Sequence, residues 1–446
     1  MLSGHATWQM LFGRGLNWDV HSEEGRNMVS QTSGLTALVG AQLIDGTGAP
    51  PIPDSVVVIQ GERIVAAGPA AEVAIPFGAE VSILEARGMT VLPGFVDSHV
   101  HLTFSAGPDH PTTVRQVTEE SDETLLLRAI GNAQRALCSG VTTVRDCGGR
   151  GHIAQAVRDA VQAGLVLGPR ILASGMPITT TGGHLYYLGL EADSPEELRK
   201  AVRSQVKAKA DVIKVCASGG NMTPGTNPLA AQYSADDLSL VVAEAHRLGR
   251  RVAAHAIGTA GIRHSASAGV DTIEHCLWLG QTGIEYSAEI AQLMQAKGLY
   301  AGLPLPGIYR LLLPQKVATS EEQEVRLADM RSQLFGMRQT IQQGVRFMVS
   351  SDAGVRFTRF EDLYLSLKVA VHGLDLSPME AIVAATGTAA EALGLGDELG
   401  SVVAGKRADL LIVEGDPLSN LETLQQVRWV FRDGRVMSQD GLLKLR

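Results

Sequence analysis

Between residues 91 and 354, short apolar runs alternate with stretches of helical period, and this alternation restricts the fold more than any other feature. The runs are VLPGFVDSH, VTTVRDCGG, PRILASG, DVIKVCASGG, RVAAHA, DTIEHC, LYAGLPLP and RFMVSSDAG. Between them lie segments such as SPEELRKAVRSQVKAKA and SADDLSLVVAEAHRLG, where Ser194 with Glu197 and Ser234 with Asp237 have capping-box spacing. Eight β runs with intervening helices is the count of an α/β protein built as a (β/α)8 TIM barrel. A doubly wound open sheet is the competitor. No GxGxxG follows the first run, however, and GGRGHI after the second has no acidic residue placed for a ribose.

The flanks have a different character. ALVGAQLIDGTG, SVVVIQGERIVAAG and AEVSILEARG read as strands and hairpins, and GSVVAGKRADLLIVEGD and VRWVFRDGRVM resume the style near the other end. Two β-rich ends around an alternating middle predict a small β-sandwich domain formed from both chain ends. The expected division is an extension at 1–34, a composite β-sandwich at 35–90 and 396–446, and a barrel at 91–395. The extension is polar and lacks the pattern of a signal peptide.

Charge and cysteine usage exclude several classes of function. Lys and Arg total 38 against 47 Asp and Glu, a net charge of −9, with no basic stripe to neutralise phosphates, so no nucleic-acid partner is expected. No apolar run reaches the ~18–20 residues that span a bilayer, so no membrane partner is expected either. Cys138, Cys147, Cys216 and Cys276 lie far apart and read as free thiols, which suits a cytoplasmic location.

The chemistry gathers at the ends of the runs. His99 and His101 share one face of the first strand, since side chains at i and i+2 point the same way. Lys214 lies in the fourth run, His255 ends the fifth, His275 ends the sixth and Asp352 ends the eighth. Polar groups inside apolar strands are costly unless satisfied, and the C-terminal ends of barrel strands form the active-site mouth. Five strands with a coordinating side chain at the same end point to a metal site. Lys214 allows two readings. As a neutral amine it can add CO2 to form a carbamate whose two oxygens bridge a metal pair. As a cation it would form a salt bridge to Asp352 or Glu274.

GFVDSHVHL, DVIKV, the block HAIGTAGIRHSASAGVDTIEHC, SSDAG and GSVVAGKRADLLIVEGDPL together resemble the amidohydrolase superfamily over about residues 35 to 440. TTTGGHLYYLGLEADSPEELRKAV, DVIKVCASGG and QYSADDL are similar to its binuclear branch of Xaa-Pro and Xaa-Arg dipeptidases and N-acyl amino acid (ochratoxin-type) amidohydrolases. The resemblance implies two divalent metal ions, with Zn2+ the expected metal. It assigns His99, His101 and Asp352 to one ion and His255 and His275 to the other, with a CO2-derived carbamate on Lys214 between them. It implies cleavage of a C–N amide bond in a dipeptide or N-acyl amino acid by a metal-bridged hydroxide, with Asp352 moving the proton.

Weaker candidates surround this set. His184 in TTTGGHLYY is placed to hydrogen-bond a scissile carbonyl, Tyr233 in QYSADDL to contact substrate, and Arg310 after the seventh run to meet a carboxylate. The alternative substrates are xenobiotic aryl amides, ureas or carbamates. A mononuclear deaminase would want a Glu soon after His255, where Ala256, Ile257 and Gly258 stand, and a non-catalytic scaffold would have lost ligands. The expected partners are a small-molecule amide substrate and further copies of the chain in a homo-oligomer.

Overall fold

The computed structural model describes residues 34–76, 81–305, 309 and 321–444, so the expected extension at 1–34, save Gly34, and the candidate Arg310 lie outside the described residues. The eight apolar runs all contain strands, labelled here β1 to β8. β1 (Phe95–Val100), β2 (Val141–Asp146) and β3 (Arg170–Ala173) form a parallel three-stranded sheet in that order. β4 (Val212–Cys216), β5 (Arg251–Gly258), β6 (Thr272–Gly280), β7 (Tyr300–Pro304) and β8 (Arg346–Ser350) run parallel in a second sheet. Three two-residue strands, Ile178–Thr179, Leu190–Glu191 and Gly283–Ile284, complete that sheet.

The two sheets meet at both margins. Past the end of β8, Ala353 bridges Val100 in parallel, and the Asp352 N–H donates to the His99 carbonyl at 2.9 Å. Just before β4, the Asp211 N–H donates to Ala173 O at 2.9 Å. Every residue of β1, β2, β4 and β7 is buried. Strands covered on both faces have no wet side, which explains why these runs are nearly continuous in apolar residues rather than alternating.

Helices connect the strands where the spacing predicts them. Pro195–Lys207 and Ala235–Arg247 both begin with a complete capping box, Ser194 with Glu197 and Ser234 with Asp237. The serine hydroxyl accepts from the third helical N–H while the acidic side chain accepts from the serine N–H, so two otherwise orphaned donors are satisfied.

Strands from both chain ends build a nine-stranded mixed sheet. Leu35–Leu43, Ile52–Gln60, Arg63–Pro69, Val81–Glu85 and Met89–Pro93 come from one end; Leu410–Glu414, Val427–Arg432, Arg435–Gln439 and Leu442–Leu443 come from the other. The join is antiparallel, Met89–Pro93 against Leu410–Glu414, with Val91 opposite Ile412. A separate apolar cluster serves this sheet and includes Leu38, Val57, Ile59, Leu410, Ile412 and Phe431. One expectation is corrected here. In GSVVAGKRADLLIVEGD only Leu410–Glu414 is strand, because residues 400–409 turn back to bridge Arg407 against Arg63.

Removing one cap tests the helix reading. Ser234→Ala is expected to lower the unfolding free energy by about 1 kcal/mol in urea denaturation. A loss within a few tenths of zero would mean the capping box contributes nothing to this fold.

Candidate metal centre

Five imidazoles adjoin one another: His99, His255 and His275 come from β1, β5 and β6, His101 from just past β1, and His184 from a turn. His101 and His99 have ring centroids 5.4 Å apart, His99 and His275 5.2 Å, His275 and His255 4.5 Å, and His255 and His184 4.4 Å. Burial lowers the pKa of His99 and of His101 to about 3 and carries His255 and His275 well below the ordinary imidazole value. All four are therefore neutral at pH 7 and carry a lone pair, the form that ligates a cation.

Partners on the far side of the rings fix which nitrogen is free. The His99 Nδ1–H donates to Glu274 Oε2 at 3.0 Å, and the His101 Nδ1–H donates to Gly148 O at 2.7 Å. Both Nε2 atoms then face Asp352 Oδ1, at 3.6 Å from His99 and 3.5 Å from His101. These separations are too long for hydrogen bonds, and Oδ1 has no hydrogen-bond partner although it is buried. Three donor atoms within 4.8 Å of one another, each turned toward a common point and none bonded to another, fit a metal ion. His99, His101 and Asp352 can thus hold one divalent ion.

Glu274 is the anchor behind this triad. It lies on β6, is fully buried, and also accepts from Arg145 Nη2 of β2 at 2.5 Å and from the Thr272 hydroxyl at 2.5 Å. Burial alone would raise its pKa. The Arg145 guanidinium and the hydrogen bond from His99 outweigh that and hold the carboxyl well below its usual range. Gly302 on β7 makes room for it, since a Cβ there would sit 2.3 Å from Glu274 Oε2. One of the two readings of Lys214 is corrected by this network. Glu274 pairs with Arg145 and His99, not with Lys214.

Lys214 is 2% exposed and its Nζ has no hydrogen-bond partner among the described residues. An amine so deeply buried and unpaired is costly as it stands. His255 Nε2 lies 3.2 Å from Gly219 O, and burial pushes Asp352 up to about 7. Two site residues also have left-handed backbones, His275 at φ +78° and Asp352 at φ +56°. Such conformations are uncommon away from glycine and gather where a side chain must be aimed.

A cavity of about 550 Å3 opens over this set and is lined by His99, His101, Lys214, His255, His275 and Asp352. His184 also lines it, its Nδ1 3.1 Å from the Thr223 hydroxyl. Tyr233, the expected substrate contact, is not among the described lining residues. Its hydroxyl donates to Ala192 O at 2.8 Å and its ring packs in the core rather than on the cavity wall. Several residues of this neighbourhood were not anticipated from sequence. Arg145 could have been, as the one charge besides the terminal Asp146 within β2. His110, Asn221 and Arg356 line the cavity from loops and the start of a helix, where no periodic signal marks them.

Replacing the anchor tests its role. Glu274→Gln keeps the shape but leaves Arg145 without its carboxylate and weakens the hold on the His99 Nδ1–H. Divalent-metal affinity measured by calorimetry is expected to fall about 10–100-fold. Unchanged affinity would show that His99 needs no such partner.

Comparison with known proteins agrees with this geometry. The model of the amidohydrolase family matches residues 90–437. Ochratoxinase of Aspergillus niger is 28% identical over 439 residues, covering 92% of this chain and 88% of that one, and its crystal structure superposes with a TM-score of 0.77 over 91% and 96% of the two chains. The crystal structure of a Xaa-Pro dipeptidase with methionine bound in its active site is 28% identical, with a TM-score of 0.76 over 90% of this chain and 99% of that one. An imidazolonepropionase of Anaeromyxobacter dehalogenans is 27% identical over 393 residues, covering 81% of this chain and 84% of its own. With its strand-end histidines, buried lysine and closing aspartate inside the matched region, this chain belongs to the amidohydrolase family.

Proposed function

We propose that this protein is a binuclear metal-dependent hydrolase of amide bonds whose amine half is an amino acid, as in a dipeptide or an N-acyl amino acid. The observation that carries the reading is the pairing of two orphaned groups, Lys214 Nζ and Asp352 Oδ1, in one cavity with neutral imidazoles. A carbamate formed by CO2 on Lys214, with release of one proton, would replace the unpaired amine with one negative charge shared over two oxygens, and His99, His101, Asp352, His255 and His275 would hold the ions with it. Neutral imidazoles and carboxylates suit Zn2+. When bound, the two ions supply an ionised water and polarise the scissile carbonyl.

The remaining work belongs to the chain. Asp352, with its pKa near neutrality before an ion binds, takes a proton at its free oxygen and passes it to the departing amine nitrogen. His184 donates to the carbonyl oxygen as charge builds there, with its Nδ1 oriented by Thr223. Apolar walls from Leu185, Met222, Ile257, Leu277 and Val355 exclude water and hold the acyl half. The reading includes a closed (β/α)8 barrel, supported by the backbone bonds between β8 and β1 and between β3 and β4. It also includes a second domain from residues 35–90 and 396–446, supported by the nine-stranded sheet and its own apolar cluster. The similarity to ochratoxinase and to the Xaa-Pro dipeptidase supports the choice of amide over other C–N bonds.

Metal analysis of the purified protein is expected to find two equivalents per chain, and a panel of dipeptides, N-acyl amino acids and aryl amides to give turnover. Lys214→Ala is expected to lose most activity and one equivalent of metal, with partial rescue by short carboxylic acids. Near-wild-type kcat in that variant would overturn the binuclear reading. Asp352→Asn is expected to lower kcat by ~10^2–10^4 while retaining metal, because the amide oxygen still ligates. Full activity in Asp352→Asn would remove the aspartate from proton transfer.

A further inference from the structure

The cavity carries one cation that the chemistry above leaves idle. Arg356 lines it from the loop after β8, four residues beyond Asp352. Among the described residues it is the one partly buried arginine whose guanidinium has neither an ion pair nor a hydrogen bond. Others at similar or greater depth all have partners, such as Arg145 with Glu274, Arg158 with Asp211 and Arg170 with Asp433. Arg356 is thus a cation on the cavity wall with no anion of its own among the described residues, and its paired N–H donors are open to an anion that arrives. Asp352 is the one carboxylate among the described lining residues, and no ion pair joins it to Arg356.

His110 shares the wall. It opens the helix His110–Glu119 after β1, and its Nδ1 is buried with no hydrogen-bond partner. Burial and the charge of Arg356 bring its pKa down to about 4, so it faces the cavity as a neutral imidazole. The two loops are stitched together. The Ala106 N–H donates to Gly354 O at 2.8 Å, and the Phe357 N–H donates to Gly107 O at 3.0 Å. Gly354 allows the close approach, with φ +103° and room for a Cβ blocked by His101 O at 2.6 Å. Arg356 and His110 are thus placed by backbone bonds rather than by long mobile side chains alone, which lowers the ordering cost of a ligand contact.

We propose that Arg356, assisted by His110, binds the carboxylate of the substrate's amine half and selects amides with an anionic leaving group. The proposal rests on the amide-hydrolase reading and deepens it by naming the residues that recognise the substrate class. A guanidinium presents paired N–H donors that match a carboxylate in a fork, and an imidazole adds a third donor or, through a water, a bridge. This moves the expected carboxylate contact from Arg310, which lies outside the described residues, to a residue that lines the cavity.

The test compares N-benzoyl-L-phenylalanine with N-benzoyl-2-phenylethylamine, which differ by the carboxylate alone, on the metal-loaded protein. The wild type is expected to favour the acid by about ten-fold or more in kcat/KM, and Arg356→Ala to reduce that ratio to about three or less. Arg356→Lys should keep part of the ratio, and Arg356→Glu should invert it. His110→Ala should lower it by a smaller factor. Calorimetric Kd values for the same pair in the Asp352→Asn background read the proposal even if neither amide is hydrolysed, a result that would sink the amide-hydrolase reading alone. The proposal is overturned if the wild type does not distinguish the two compounds, or if Arg356→Ala weakens both equally.

Discussion

A single buried carboxylate organises the interior of this protein. Glu274 joins three strands through side chains, accepting from Arg145 on β2, from His99 on β1 and from its neighbour Thr272 on β6. Its charge is compensated on one side by a guanidinium and on the other by an imidazole N–H. An uncompensated charge at this depth would cost several kcal/mol, so the pieces stand or fall together. The imidazole orientation that the metal reading needs is a by-product of the same balance. His99 is aimed because Glu274 is anchored, and Glu274 is anchored because Gly302 and Arg145 leave it one position to occupy.

The cavity sits where two kinds of constraint overlap. Strands that are buried on both faces hold the histidines and the lysine rigidly, while loops after the strands supply His184, His110 and Arg356. In the proposed reading the metal ligands come from the strands and their ends, while His184 and the recognition groups come from loops, so loop changes would alter the substrate without moving the ligands. Left-handed backbones at His275 and Asp352 show the cost of fitting side chains to a site rather than to a regular strand.

Much of this was legible in the residues themselves. Polar side chains at the ends of apolar runs marked His99, His101, Lys214, His255, His275 and Asp352, because such positions are rare without a purpose. The capping boxes at Ser194 and Ser234 and the Asp433-Gly434 turn between the last long strands are local signals, and each lies where spacing predicts. What was hidden depends on contacts between distant segments. Nothing near Glu274 announces that Arg145, 129 positions away, will claim it in place of Lys214. Tyr233 lies in the expected loop, yet a carbonyl at Ala192 captures its hydroxyl and turns it inward. Arg356 and His110 carry no periodic signature, and only the stitching of their loops brings them to one wall.

The sheet made from both chain ends has a consequence for the order of synthesis. Met89–Pro93 pairs on one side with Leu35–Leu43, which is made earlier, and on the other with Leu410–Glu414, which is made more than three hundred residues later. Until then Val91 and Leu92, which end fully buried, lie on a strand with an open edge. A chain emerging from the ribosome at ~5–20 residues per second leaves that edge unpaired for tens of seconds at the slower rate. The segments that carry β1 to β8 are therefore made beside an unfinished sheet, whose unpaired edge stays open to other strands until the last pairing closes it.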